Sequence, residues 1–351
     1  MRIFDYNFLK DISVPASLIG TARGIGMIVE RSKSLMDEHP RVFTELERDA
    51  RFLSVKGSNA IEGIRTSDER LRSLMVRSLE PVGNDEAEIA GYRDALELIH
   101  ENHSSMKFTE ETILELHRIL MSHTAEGGGA YKKTDNVIVA VDGSGRRYVH
   151  FRPLSTKETP EAMEQIVLAY IDAEQNGVEP LLLIPCFILD FLSIHPFTDG
   201  NGRMSRLLTL LLLYRHGLDI GRYISVEERI DRTKSRYYAS LSESSRDWAE
   251  GKNDYMPFTS YCLDVILSCY RSLDRCFATI SGKKATKNNR VEAVVMSSLF
   301  PISKRDILSM LPDVSQTTVE ACLHRMIESG LIEKIGGNRN ARYRKRSKPE
   351  D

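Results

Sequence analysis

The chain has 351 residues, 41% of them apolar, enough to fill the cores of two or three domains. Its net charge of −2 excludes a general attraction to nucleic acid, but the charge is uneven: residues 281–351 hold 14 Lys/Arg against 8 Asp/Glu, a net +6, and the remainder holds 34 against 42, a net −8. The N-terminal MRIFDYNFLKD is too acidic and broken for a signal peptide, and the longest apolar stretch, 181–194, is interrupted by Pro185 and Asp190, so no membrane span is expected. Of the five cysteines, Cys262, Cys269 and Cys276 recur every seven residues. On a helix that places neighbours roughly 10 Å apart along the axis, too far to share a metal, so they read as small apolar side chains on one buried face. Reduced thiols suit a cytoplasmic location.

Helical signals dominate in chain order. In SNAIEG (58–63), Ser58 and Glu62 stand four apart on one helical face, and Gly63 is placed to end that helix. Thr66 opens TSDERLRSLM as a capping box with Glu69. EIAGYRDALELIH (88–100) and TEETILELHRILMSH (109–123) carry apolar residues at three- and four-residue spacing. VIVAV (137–141) and RRYVHF (146–151), flanking Asp142-Gly143-Ser144-Gly145, predict a β-hairpin. The run 207–214 is apolar nearly all round and predicts the buried centre of a helical bundle, stopped by Gly217. The polar SGKKATKNNR (281–290) reads as a linker. Beyond it, 303–311 and 316–330 read as helix–turn–helix and 331–346 as two short strands, the order of a winged helix.

Between two apolar runs lies HPFTDGNGRMSR (195–206). Gly200 and Gly202 around Asn201 permit positive φ and close approach of backbone N–H groups to a ligand, and a helix starting near Arg203 would make them an anion nest. Arg203 and Arg206, three apart, suit a polyphosphate better than one carboxylate. Asp199 among phosphates fits a divalent cation, but not an EF-hand, whose twelfth position would be Leu210. His195 can accept a hydroxyl proton near neutral pH. No Gly-Lys-Ser/Thr occurs, so this is not a classical P-loop.

The stretch resembles the signature of Fic-domain proteins, His-Pro-Phe-x-Asp/Glu-Gly-Asn-Gly-Arg-x-x-Arg, at every fixed position. The likeness extends to LHRIL (116–120), the hairpin and the Tyr237-Tyr238 pair, over roughly residues 50–260. The resemblance implies a mainly α fold, a helical core with a β-hairpin flap, and transfer of AMP from ATP to a protein hydroxyl with Mg²⁺, for which Mn²⁺ can substitute. By the resemblance, His195 deprotonates a target Ser, Thr or Tyr, and Asp199 binds the metal. Gly200, Asn201, Gly202 and Arg203 hold the α- and β-phosphates, Arg206 meets the γ-phosphate, and Tyr237 lines the adenine pocket. Ser245 stands where an asparagine is often found. Gly202 separates the chain from the phosphorylating branch resembling Doc, which has lysine there. Val137, Ile138, Val139 and Ala140 form the flap edge against which an extended target segment can pair. Ser58, Glu62 and Gly63 resemble the family's inhibitory motif, in which Glu62 pairs with Arg206 in place of the γ-phosphate.

The implied organisation is an N-terminal helical region over 1–105 with the inhibitory helix at about 50–63, a catalytic core over 106–280, a linker over 281–290 and a winged-helix-like domain over 291–351. The expected partners are a protein with an exposed hydroxyl, the chain itself as a target, and DNA or another protein at 291–351, with a homodimer left open. Two other functions remain: a nucleotide-sensing DNA-binding regulator, and a hydrolase in which Glu62 activates water to remove AMP.

Overall fold

Residues 2–141, 147–280, 286–337 and 341–346 are described by the structure, a computed structural model. The chain is mainly helical. It opens with α1 (Ala16–Glu38) and α2 (Pro40–Ile61), separated only by His39, with proline at the first position of α2. Then come α3 (Asp68–Met75), α4 (Gly83–Asn102) and α5 (Glu110–Leu120). The cap of α3 is Ser67, which accepts the Arg70 N–H, rather than the expected Thr66, whose hydroxyl turns to Glu86 at 3.5 Å. Thr109 caps α5 as its spacing predicts.

Strands β1 (Ile138–Val141) and β2 (Arg147–Phe151) pair antiparallel, with a register shift between Ile138 and Val139; the expected turn, 142–146, lies outside the described residues. The chain continues through α6 (Thr159–Gln175), α7 (Pro180–Ile194), α8 (Asn201–Arg215), α9 (Val226–Arg232), α10 (Lys234–Ser244) and α11 (Met256–Ile280). The C-terminal segment holds α12 (Lys287–Ser297), β3 (Ile302–Ser303), α13 (Lys304–Met310), α14 (Gln316–Glu328), β4 (Ile332–Ile335) and β5 (Arg342–Lys345).

The chain forms two compact units, Met1–Gly24 with Arg51–Gly221 and Ser225–Leu267, and Ile25–Ala50 with Arg222–Ile224 and Ser268–Asp351. No boundary falls at 105/106, and residues 25–50 and 268–280 belong with the C-terminal segment. Long helices hide such changes, because the periodicity of α1, α2 and α11 runs on unbroken where their packing partners change.

In the first unit α7 packs on α6 and α8, and α4 packs on α5 and α8. From Leu207 to Tyr214 every residue of α8 but Thr209 is buried, which makes it the centre of the bundle. Asp190, which interrupts the apolar run of α7, is fully buried and accepts hydrogen bonds from Tyr6 Oη (2.8 Å), Trp248 Nε1 (2.6 Å) and Tyr255 Oη (2.9 Å), with the Arg2 guanidinium 3.9 Å away. Burial pushes its carboxyl up and these donors oppose that shift.

The second unit contains a three-stranded antiparallel sheet in the order β3–β5–β4, with α12, α13 and α14 packed together. The helix pair and strand pair expected over 303–346 are present, joined by α12 and β3. Helix α12 begins inside the segment read as linker because the Thr286 side chain accepts the Asn289 N–H and starts it there. Residues 281–285 lie outside the described residues.

The Asp190 knot generates a prediction. Asp190→Ala strands three buried donors and a nearby cation, and is expected to lower unfolding free energy by about 3–5 kcal/mol. Urea denaturation checks this, and a loss below about 1 kcal/mol would show the knot to be dispensable.

Candidate active site

The C-terminus of α7 places His195. Its backbone N–H still bonds the Phe191 carbonyl (2.9 Å), but its φ of 53° is left-handed and ends the helix. The ring Nδ1–H donates to the Leu192 carbonyl at 3.3 Å, which leaves the Nε2 lone pair to accept a proton. Burial pushes the imidazole down to about 4; Lys132 adds to this, whereas Glu62 and Asp199 oppose it. His195 is therefore held as the neutral imidazole near neutral pH rather than poised near 6.5.

A short loop leads from His195 into α8. Asn201 closes it with two side-chain bonds to Phe197, accepting the Phe197 N–H at 2.9 Å and donating to its carbonyl at 2.8 Å. Its buried side chain is thus a loop staple. Gly200 has φ 81° and its N–H donates to Asp199 Oδ1 at 2.6 Å. Gly202 needs no positive φ, because α8 begins at Asn201, two residues earlier than expected. Its lack of a side chain has another use: a Cβ there would overlap Glu62 Oε1.

The two arginines of the motif diverge. Arg203 is buried in an ion pair with Glu88 of α4 and reaches Asp199 Oδ2 at 3.3 Å. Arg206 is buried under the end of α2, its Nε donating to Ser58 Oγ (2.8 Å) and its Nη2 to the Ser58 carbonyl (3.0 Å) and Glu62 Oε1 (2.8 Å). Ser58 and Glu62 thus both meet Arg206, the arrangement the resemblance implied, although Glu62 lies one residue past α2 and Gly63 follows at φ 88°.

The end of α2 is itself seated. Glu227 of α9, fully buried, accepts from Ser54 Oγ (2.8 Å), Tyr92 Oη (2.9 Å) and Ser225 Oγ (3.2 Å). At Gly57 a Cβ would lie 2.8 Å from the Glu228 nitrogen, so only glycine lets α2 approach α9 this closely.

A cavity of about 780 Å³ brings these elements together. Glu62, His195, Gly202 and Arg206 line one side, and Tyr237, Tyr238, Leu241 and Ser245 of α10 and its end line the other. Ile138 and Phe151, cross-strand partners in the hairpin, also face it. Val137 precedes β1 and is exposed, as is Val139, while nothing is described for the Ala140 side chain. Asp199 and Arg203 do not line the cavity; the Asp199 side chain is 55% exposed.

Three contributors carried no role in the sequence reading. Glu88 holds Arg203. Lys132 is buried near His195. His117 of LHRIL accepts the Gly129 N–H at Nδ1 (3.0 Å), so its Nε2 carries the proton and donates to the Asp199 carbonyl (3.1 Å). It also stacks on Phe197 at 3.6 Å. The LHRIL stretch within the amphipathic α5 was its only local sign. In the C-terminal segment, Arg344 pairs with Glu333 and Arg342 donates to the Pro301 carbonyl, while Arg339 lies outside the described residues.

Residues 107–213 match the Fic/DOC family. The chain is 27% identical over 230 residues to protein adenylyltransferase fic-1 of Caenorhabditis elegans, covering 64% of this chain and 41% of that protein. It is 25% identical over 237 residues to protein adenylyltransferase Fic of Nematostella vectensis, covering 64% and 49%. The chain thus spans less than half the length of these curated relatives. A solved Fic family protein from Desulfovibrio desulfuricans superposes with a TM-score of 0.61 over 97% of this chain and 99% of that one at 21% identity. A Fic domain containing signaling protein from Bacteroides thetaiotaomicron gives 0.59 over 71% and 95% at 24% identity. These likenesses establish the fold. No described helix is long and apolar enough to cross a membrane.

The histidines generate a pH prediction. Burial pushes His117 down to about 4, so the native state keeps it neutral while the unfolded chain takes up a proton near its ordinary 6.5. Its contribution to stability is complete above about pH 6.5 and is lost as pH falls toward 4. His117→Gln should therefore make stability less steep in pH across that window, by up to about 1.4 kcal/mol per pH unit, in urea titrations. Equal slopes in both proteins would show that His117 is already protonated when native.

Proposed function

We propose, from the match of residues 107–213 to the Fic/DOC family, that the chain is an autoinhibited protein adenylyltransferase. It transfers AMP from ATP to a Ser, Thr or Tyr hydroxyl of a protein target, itself included. The observation that carries this reading is the Glu62 carboxylate bonded to Arg206 at 2.8 Å and seated over Gly202, in the cavity that holds His195.

The target oxygen attacks the α-phosphorus, the bond to the β-phosphate oxygen breaks, and pyrophosphate leaves. His195 Nε2 takes the hydroxyl proton, its tautomer set by the bond to Leu192. The first-turn N–H groups of α8 face the phosphates, where the helix dipole favours negative charge. Tyr237 walls the base side of the cavity, with Ser245 beside it. The hairpin edge over Val137–Ala140 aligns an extended target segment by strand addition, and Ile138 already reaches the cavity.

Asp199 fits a magnesium ion, since its half-exposed carboxylate is the motif's only acid and Mg²⁺ takes most of its ligands from phosphate and water. When bound, that ion neutralises phosphate charge. Arg203, itself paired with Glu88, braces the Asp199 side chain, and its buried guanidinium does not line the cavity where it was expected to hold the α- and β-phosphates.

In the resting state Glu62 occupies the guanidinium that the γ-phosphate needs. A charge-assisted bond of this kind contributes roughly 1.5–3 kcal/mol, which corresponds to one to two orders of magnitude in rate. Glu62→Gly should raise label transfer from α-³²P-ATP to protein by about that factor, with γ-³²P-ATP giving none. Arg206→Ala in that background should lower it again, and His195→Ala should abolish it while ATP affinity stays within about threefold. Transfer from the γ-label, or a Glu62→Gly variant no faster than wild type on a competent target, would sink the reading.

A further inference from the structure

Lys132 lies on the irregular segment between α5 and β1, yet it is only 4% exposed. A lysine ammonium taken out of water needs acceptors to offset its lost hydration. Its Nζ donates to the Ile194 carbonyl at 3.1 Å and to Asn136 Oδ1 at 3.1 Å. Its backbone N–H donates to the Pro196 carbonyl at 2.9 Å. One residue thus grips the carbonyls on both sides of His195. Asn136 extends the grip by donating its amide to the Phe197 carbonyl at 3.3 Å.

We infer that Lys132 is a positioning residue for His195, holding the base in its left-handed turn and aimed into the cavity. The φ of 53° at His195 has no glycine to ease it, and such a conformation persists only where its surroundings over-determine it. The helix alone does not do so, because α7 ends at Ile194. The clamp also comes from the segment that runs directly into β1, so the strand edge and the base share one mooring. Burial lowers the Lys132 ammonium to about 8, against the pull of Asp135, and it stays mostly charged at neutral pH. The charges bearing on His195 are Lys132, Glu62 and Asp199. Losing Lys132 removes the cation that disfavours a protonated ring.

The kinetic arm of the test rests on the proposed AMP transfer; the spectroscopic arm does not. The full chain carrying Glu62→Gly is compared with the same chain carrying Lys132→Met or Lys132→Arg. The His195 ring is followed by NMR against pH, its signal assigned by its loss in His195→Ala. In Lys132→Met the His195 midpoint should rise by about one unit or more, and kcat should fall about tenfold or more. KM for ATP should stay within about twofold, and Lys132→Arg should recover much of both changes. An unmoved His195 titration with kcat within about twofold of the parent overturns the inference. So does a loss confined to ATP affinity. If the parent transfers no AMP, the proposed activity has failed and the titration alone decides the positioning role. If Lys132→Met does not fold, Asn136→Ala removes the acceptor that aims Nζ and is judged by the same shift, expected smaller.

Discussion

Arg206 is a full positive charge at 3% exposure, and the site depends on what neutralises it. Removing a guanidinium from water costs several kcal/mol, which only close acceptors offset. The structure supplies them from a residue 148 positions away: the Ser58 hydroxyl and carbonyl, with the Glu62 carboxylate beside them. The α2 end must therefore sit where it does for the arginine to be buried at all. Its seat is prepared by the Ser54–Glu227–Tyr92 bonds and by Gly57, which lets the two backbones approach. In the proposed function, anion site and brake are one electrostatic arrangement in which a carboxylate and a phosphate are alternatives.

The loop from His195 to Gly202 shows a second economy. His195 is pushed down to about 4, so as the proposed base it is intrinsically weak and would rest on placement and on staying neutral at working pH. Placement is over-determined. Lys132 holds the carbonyls flanking it, Asn201 closes the loop, and His117 fixes the Asp199 backbone while stacking on Phe197. None of these three side chains meets the cavity. These bonds tie the loop from beneath, so His195, the glycines and Asp199 keep their relative positions.

What was legible in the sequence is what local spacing encodes. HPFTDGNGRMSR, SNAIEG, the hairpin strands and the all-apolar α8 carry their geometry in consecutive residues. What escaped depends on partners far along the chain: Lys132 with Ile194 at a separation of 62, His117 with Asp199 at 82, Arg203 with Glu88 of another helix. The first lysine of GAYKKTD and the glutamate opening EIAGYRD look like solvated surface charges until the fold buries them. Asp190 is the same lesson, a break in an apolar run that proves to be its polar anchor. The three-residue spacing of Arg203 and Arg206 placed both in the first two turns of α8, but side-chain length let Glu88 draw one of them elsewhere. The unit boundaries escaped for the opposite reason, since long helices carry a uniform signal through a change of surroundings.

In the proposed autoinhibited enzyme, the division of labour between Ser58 and Glu62 decides how the brake is released. Of the three bonds that Arg206 makes to the α2 end, Ser58 provides two and Glu62 one. Ser58 bonds Nε and Nη2 from behind, whereas Glu62, with its side chain 32% exposed, lies toward the cavity. Losing only the glutamate leaves the guanidinium buried, oriented and still accepted by two oxygens, with its open side facing the space over Gly202. Displacing the whole α2 end would remove all three acceptors at once and leave an unpaired buried charge, a costlier state. The lower-energy route to an open site is therefore a local swing of Glu62 about the helix end, where Gly63 at φ 88° already breaks the backbone's regularity. A carboxylate just past the last helical residue, next to a glycine, can move without unwinding the turn that holds the arginine.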